Sequence, residues 1–189
     1  GKRRLVHSCA GRWVNTPHPE GLTPTPKIRP GVSEITRLAR VRGLRFIDAD
    51  HELEHRLGVD IPLIFEKEGE AGFRQREHDL LADITQAPDI VLATGGGAVV
   101  WPANRTLLAQ NGTVIYLHAS VRQQVARTGQ SQHRPLLNTG EAPSAILSRL
   151  FEQRDPLYRQ IADVVIETQG RSARLLVDEI QAHLAQRAP

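Results

Sequence analysis

The hydrophobic positions of this chain follow two different patterns, and the change falls near residue 37. Beyond that point, short continuous apolar runs alternate with longer stretches in which apolar residues recur every three or four positions. Continuous short runs are typical of strands buried on both faces, and the periodic stretches are typical of amphipathic helices. The pattern predicts strands at residues 44–48, 90–94, 114–118 and 164–166, and helices at 70–84, 145–151 and 175–184.

The alternation of strands and helices predicts an α/β domain with a parallel sheet covered by helices on both faces. The chain has 189 residues, which fits one compact core, and we see no internal repeat or second domain. We therefore assign the domain to residues 37–189. In sheets of this kind, ligands bind where the parallel strands end.

Residues 1–36 have a different composition. Five prolines interrupt them, and Leu5 and Val6 form the only strand-like fragment, so we expect loop or disorder. Charge is also unevenly distributed along the chain. Residues 1–42 have a net charge of +7 and the remaining residues have a net charge of −4, which together give the overall +3. A basic surface would point to nucleic acid, but here the basicity belongs to one segment. We therefore expect no nucleic-acid partner.

The cysteine content and the hydropathy indicate a compartment. Cys9 is the only cysteine, so the chain forms no internal disulfide and fits a reducing environment. No apolar run approaches the roughly 20 residues of a membrane span, and no apolar signal-peptide stretch follows the basic first residues. We expect a soluble, cytoplasmic protein without a membrane partner.

Two carboxylates, Asp48 and Asp50, follow the first predicted strand of the domain. Alternate positions share a face, so both side chains are expected to point into one cleft. Carboxylates in such a place can hold a metal-bound water or accept a hydrogen bond from a substrate hydroxyl. An N-cap for the helix that begins here explains the same residues equally well.

Three consecutive glycines, Gly95, Gly96 and Gly97, follow the buried strand at residues 90–94. Glycine lets backbone N–H groups approach a ligand closely and permits positive φ. The simpler interpretation is a tight turn.

Three arginines are candidates for anion binding: Arg74, Arg134 and Arg154. The planar guanidinium donates two parallel hydrogen bonds to a carboxylate or a phosphate. Arg134 follows a small polar stretch at residues 129–133, which suits a mobile lid that brings an arginine onto phosphates.

Residues 51–55 match the zinc-protease pattern H-E-x-x-H. The helical periodicity argues against zinc binding. Ala49, Leu53 and Leu57 recur every four residues and form the predicted buried stripe. The two histidines lie two residues out of phase, about 200° around the helix, and are expected to face solvent.

Taken in order, the motifs of this chain resemble those of the shikimate kinases. The resemblance begins near Leu38, needs almost no gaps, and rests on D-A-D at 48–50, F-R-Q-R-E at 73–77, T-G-G-G at 94–97, R-P-L-L at 134–137 and R-D-P-L-Y at 154–158. It implies a P-loop kinase fold and transfer of the γ-phosphoryl group of ATP to the 3-hydroxyl of shikimate, with Mg²⁺. That reaction belongs to chorismate and aromatic amino-acid biosynthesis. The family also implies a monomer.

The resemblance implies roles for the substrate side of the site. Asp50 resembles the catalytic carboxylate that binds shikimate hydroxyls and acts as base, and Asp48 resembles the one that holds magnesium through water. Arg74 and Arg154 resemble the pair that binds the shikimate carboxylate, and Glu77 resembles the acid that orients Arg74.

The resemblance also implies a substrate-side wall and a nucleotide side. Residues 95–97 resemble the wall, with Gly96 closest to the substrate. Arg134 resembles the catalytic lid arginine that reaches the ATP phosphates, and Arg127 and Arg171 resemble residues that flank the adenine.

One part of the family pattern is missing. Counting back from Asp48, the lysine of the phosphate loop G-x-x-x-x-G-K-[ST] should stand at position 31, where this chain has Gly31 after Pro30. We therefore expect weak ATP binding, little turnover and a sheet with a gap where its first strand should be. We hypothesise that a reading-frame shift or a misplaced start produced residues 1–36.

Two alternatives stay open. A degenerate, non-catalytic kinase would still bind shikimate through Asp50, Arg74 and Arg154. A related small-molecule kinase, such as a gluconate kinase, is the other alternative, because the Arg74 and Arg154 pair points to a carboxylate-bearing substrate and does not exclude gluconate.

Overall fold

A five-stranded parallel sheet with helices on both faces forms the core of the protein. A computed structural model describes residues 4–9, 32–128 and 141–186. The strands are β1 (Arg4–Cys9), β2 (Arg45–Asp48), β3 (Ile90–Thr94), β4 (Thr113–His118) and β5 (Val164–Glu167). The helices are α1 (Val32–Arg42), α2 (Ala49–Leu57), α3 (Ile61–Ile84), α4 (Pro102–Asn111), α5 (Val121–Thr128), α6 (Pro143–Ile161) and α7 (Ala173–Gln186). The predicted α/β class is confirmed.

The strand order is β2-β3-β1-β4-β5, so β1 lies at the centre of the sheet. Val6 is in register with Leu92 of β3 on one side and with Val114 of β4 on the other, and both pairings are parallel. The expected gap in the sheet is therefore wrong. Backbone groups make the ladder between parallel strands, so a strand needs no continuous apolar run to complete it. The prediction failed because polar His7 and Ser8 interrupt the apolar pattern after two residues.

Successive residues of the central strands point to opposite faces, and each face has its own hydrophobic core. On one face, Leu92 and Val114 pack among residues of α2, α3 and α4, including Phe73, Leu81 and Leu108. On the opposite face, Val91 and Ile115 pack among residues of α1 and α7. This arrangement explains why the strand at residues 90–94, buried at every position, reads as a continuous apolar run.

Two helices are longer than their apolar periodicity predicts. Helix α3 begins at Ile61 and changes direction at Gly69, whose φ of 70° and ψ of −174° are essentially restricted to glycine. Helix α6 continues past Phe151 to Ile161 and contains Pro156. The extension of α6 carries the R-D-P-L-Y motif at residues 154–158, and the bend at Gly69 comes four residues before the F-R-Q-R-E motif at residues 73–77.

The parallel strands end at one edge of the sheet, and the predicted motifs meet there. Asp48, the last residue of β2, is in register with Ala93 of β3, so the D-A-D triplet and the three glycines begin side by side. Among the residues that the structure describes, no helix is both long and apolar enough to cross a bilayer.

Candidate functional site

The three glycines form a buried wall directly after β3. Their chain turns into a short 3₁₀ helix, Ala98–Val100, in which Ala98 N donates to Gly95 O at 3.1 Å and Val100 N donates to Gly97 O at 3.0 Å. None of the three adopts a positive φ. A positive φ is therefore not the reason for glycine at these positions, and at Gly97 the reason is the close approach of another group.

The approaching group is the guanidinium of Arg74. A Cβ atom placed on Gly97 would lie 2.2 Å from Arg74 Nη2 and 2.7 Å from its Cζ. Only a residue without a side chain permits this contact. The wall and the arginine, 23 positions apart in the sequence, are thus built against each other.

Two carboxylates from the same helix hold the Arg74 guanidinium. Nη1 donates to Glu77 Oε2 at 2.7 Å, and Nη2 donates to Glu70 Oε1 at 3.3 Å. The side chains of Arg74 and Glu77 are buried, whereas that of Glu70 is exposed. Burial raises the pKa of the Glu77 carboxyl, and nearby Arg74 and Arg154 offset part of that effect.

Arg154, on α6, joins the same cluster but has no carboxylate bound to it among the described residues. Its relative exposure is 8%, and its Nε atom is buried without a hydrogen-bond partner. Burial lowers the pKa of the Arg154 guanidinium, and Tyr158, Arg74, Glu70 and Glu77 are close enough to modify it. Arg74 therefore has carboxylate partners in Glu77 and Glu70, whereas Arg154 has none among the described residues.

The two aspartates of the D-A-D triplet have different environments. Asp48 caps α2, because its Oδ1 accepts hydrogen bonds from Asp50 N at 3.0 Å and His51 N at 3.3 Å. The capping interpretation of Asp48 is therefore correct, and its proposed role toward magnesium stays a prediction. Asp50 lies in the first turn of α2 with a relative exposure of 7%, at the edge where the glycine wall begins.

Tyr158 contacts the site, although its motif predicted no role for it. Its hydroxyl donates to Gly96 O at 2.6 Å, and its ring stacks on Tyr116 with 4.6 Å between centroids. The signal was available in the R-D-P-L-Y motif, since positions i and i+4 of a helix share a face and Tyr158 is four residues after Arg154.

The remaining predicted residues do not converge on this cluster. Arg134 lies outside the described residues, and only the backbone of Arg127, on α5, is described. Arg171 lies between β5 and α7, where its guanidinium pairs with Glu179. The nucleotide side of the site therefore stays a prediction.

The zinc-protease pattern lies on the outside of α2. His51 and His55 are exposed, as the four-residue periodicity predicts, whereas Leu53 is buried. Within residues 4–9, 32–128 and 141–186, no group of three or more metal-binding side chains occurs.

Comparisons with known proteins agree on one family. The family model described as shikimate kinase matches residues 33–185. A shikimate kinase of Pseudomonas syringae pv. tomato is 53% identical over 160 residues, covering 84% of this chain and 92% of the relative. The structure of a shikimate kinase from Acinetobacter baumannii in complex with shikimate is 38% identical, has a TM-score of 0.82, and covers 98% of this chain and 95% of that one. A gluconokinase from Sinorhizobium meliloti is similar in fold alone, at 16% identity and a TM-score of 0.52, with 98% and 92% covered.

Proposed function

The chain belongs to the shikimate kinase family of ATP-dependent phosphotransferases, and we propose that it binds the carboxylate of shikimate between Arg74 and Arg154. The substrate ring would then lie against the wall at residues 95–97. The observation that carries this proposal is the buried Arg154 guanidinium, which has no carboxylate partner among the described residues and whose Nε atom makes no hydrogen bond there. A buried charge is costly unless it is paired, so the site is completed by an anion from outside the chain.

The two arginines have different parts in substrate binding. Arg74 is already oriented by its 2.7 Å ion pair with Glu77, so it presents a fixed fork. Arg154 has no such counterion among the described residues and supplies the unbalanced charge. A carboxylate is attracted by Arg154 and aligned by Arg74, which is an efficient way to fix the direction in which the substrate hydroxyl points.

The other assigned residues would complete the phosphoryl transfer. Asp50 accepts a hydrogen bond from the attacking hydroxyl and takes its proton. A carboxylate near phosphate oxygens is a usual magnesium environment, and Asp48 at this edge fits the role of holding a magnesium-bound water. Arg134 neutralises the phosphates, with Arg127 and Arg171 beside the adenine. Phosphoryl transfer depends mainly on such positioning and charge neutralisation.

We also propose that transfer is impaired in this chain. No G-x-x-x-x-G-K-[ST] motif occurs anywhere in the sequence, and position 31 holds glycine where the lysine would stand. Loss of that lysine and of the loop amides removes charge-assisted hydrogen bonds to the phosphates. The composition of residues 1–36 fits a reading-frame shift, and sequencing the corresponding DNA in all frames would test this. A cytoplasmic monomer remains part of the proposal.

Gluconate, which also carries a carboxylate, is the second candidate substrate. The fold agreement with the shikimate kinase, at a TM-score of 0.82, exceeds that with the gluconokinase, at 0.52. Shikimate is therefore the substrate that we favour, and a competition experiment with gluconate would separate the two.

Calorimetry with shikimate and with ATP separately, followed by a coupled turnover assay, tests the proposal. We expect saturable shikimate binding, weak ATP binding and little turnover. Arg154→Met should abolish most of the shikimate binding, whereas Arg149→Met should not, because Arg149 is an exposed arginine of the same helix. Absence of shikimate binding would refute the substrate assignment, and normal turnover would refute the impairment.

A further inference from the structure

The Gly96 carbonyl is held by a side chain that the proposed binding and catalytic roles leave unused. The Tyr158 hydroxyl donates to this carbonyl at 2.6 Å, in a fully buried position, and joins residues 62 positions apart. This bond connects α6, which carries Arg154, to the glycine wall against which Arg74 packs. The two arginine-bearing elements are thus linked through one hydroxyl.

A second set of contacts fixes Tyr158 itself. Its ring is stacked on Tyr116 of β4, with an interplanar angle of 14°. The Tyr116 hydroxyl donates to Asp155 Oδ1 at 3.0 Å, and Arg159 Nε donates to Asp155 Oδ2 at 2.8 Å. The residue next to Arg154 is therefore anchored to the sheet, and Tyr158 has little rotational freedom.

Three successive glycines need such support. Glycine has the largest backbone freedom of any residue, so an unsupported wall would have to be ordered when the substrate binds. Beyond the wall, α4 holds the following turn, because Asn104 Nδ2 donates to Ala98 O at 3.0 Å and Arg105 Nη1 donates to Val99 O at 2.7 Å. Within the wall, backbone N–H groups hold the Gly95 and Gly97 carbonyls, and the Tyr158 hydroxyl holds the Gly96 carbonyl.

We infer that Tyr158 is a positioning residue for the substrate, which orders the glycine wall in the free protein through the Gly96 carbonyl. The inference rests on the proposed function, since the wall is assigned to shikimate. A pre-ordered wall spares the binding step the ordering of flexible backbone. Ordering about one residue corresponds to roughly a five- to tenfold change in affinity.

Tyr158→Phe and Tyr116→Phe make a matched pair. Both remove one hydroxyl and keep both rings of the stack, but only Tyr158→Phe removes a hydrogen bond to the wall. By calorimetry, we expect Tyr158→Phe to weaken shikimate binding about five- to tenfold, and Tyr116→Phe, which keeps the ring stack and the bond to Gly96, to weaken it clearly less. Replacing Tyr158 with 4-aminophenylalanine restores a donor at the same place and should restore the affinity. Unchanged affinity in Tyr158→Phe, or equal weakening in both variants, would overturn the inference.

A measurement on the unmodified, ligand-free chain keeps the test independent of variant folding and of the substrate assignment. Backbone NMR order parameters for residues 95–97 should be near 0.85, which is typical of rigid backbone, whereas values below about 0.6 would overturn the inference. If shikimate does not bind at all, the proposed function fails, and a fall of these order parameters in Tyr158→Phe but not in Tyr116→Phe still decides whether Tyr158 orders the wall.

Discussion

Gly97→Ala tests whether the glycine wall exists to admit the Arg74 guanidinium. The new Cβ would lie 2.2 Å from Nη2, and ordinary contact begins at 3.4 Å, so the guanidinium would have to move by about 1.2 Å. A displacement of that size stretches the 2.7 Å bond from Nη1 to Glu77 Oε2 beyond the hydrogen-bonding range. The buried Glu77 carboxylate would then lose its partner.

The expected cost follows from these contacts. Overpacking a buried position typically costs about 1–3 kcal/mol of the free energy of unfolding. A lost hydrogen bond to a charged group is worth about 1.5–3 kcal/mol, which is roughly a ten- to hundredfold change in Kd. We therefore expect Gly97→Ala to lower the free energy of urea unfolding by about 1–3 kcal/mol and to weaken shikimate binding by at least about tenfold.

A double-mutant cycle with Arg74→Met isolates the cause. Methionine keeps the apolar stem but has no guanidinium, so the Cβ at position 97 would meet nothing comparable. In the Arg74→Met background, Gly97→Ala should therefore leave the free energy of unfolding almost unchanged. Equal destabilisation in both backgrounds would refute the reasoning, as would shikimate binding in Gly97→Ala within about twofold of the unmodified chain.

Three further predictions concern charge and backbone geometry. Arg154→Met should weaken shikimate binding roughly ten- to hundredfold in calorimetry. The melting temperature should stay unchanged or rise, because the substitution removes a buried charge that has no carboxylate partner among the described residues. A lower melting temperature would contradict this. Burial raises the pKa of the Glu77 carboxyl, so this group stays protonated to higher pH in the folded chain than in the unfolded chain. The contribution of Glu77 to the free energy of unfolding therefore falls as pH rises above roughly 4.3. Glu77→Gln should remove that fall from the pH profile of the unfolding free energy, and an unaltered profile would count against the assignment. Gly69→Ala forces a φ of 70° and a ψ of −174° on a residue with a side chain, so urea unfolding should show a loss of about 1–3 kcal/mol, and no loss would mean that the bend relaxes.

Local patterns in the sequence predicted most of the fold. Four of the five strands are recognisable as short apolar runs, most clearly β3 and β4, because both faces of these inner strands are covered and demand apolar residues at successive positions. The capping aspartate and the exposed histidines of α2 also followed from local spacing. Strand β1 was not predicted, because its two apolar residues are followed by polar ones. Its backbone pairing with β3 and β4 makes it a strand despite that weak pattern.

The site was predictable in its members but not in its contacts. Arg74, Arg154 and the glycines could be selected from their motifs, and their convergence follows from the parallel topology. The contact between Gly97 and the Arg74 guanidinium, and the bond between Tyr158 and Gly96, join residues far apart in sequence. No periodicity encodes such contacts. Glycine and tyrosine have ordinary local explanations at those positions, a turn and a buried aromatic.

The distribution of the site over the chain makes substrate binding separable from phosphoryl transfer. The residues that we assign to shikimate belong to α2, α3, α6 and the turn after β3. The phosphate-loop lysine of the family would stand at position 31, which is not among the positions that we assign to shikimate. A chain that lacks the phosphate loop therefore lacks phosphate ligands but keeps every group that we assign to the substrate carboxylate. An impaired kinase and a protein that only binds shikimate consequently share one and the same substrate site, and they differ only in how tightly the chain holds ATP.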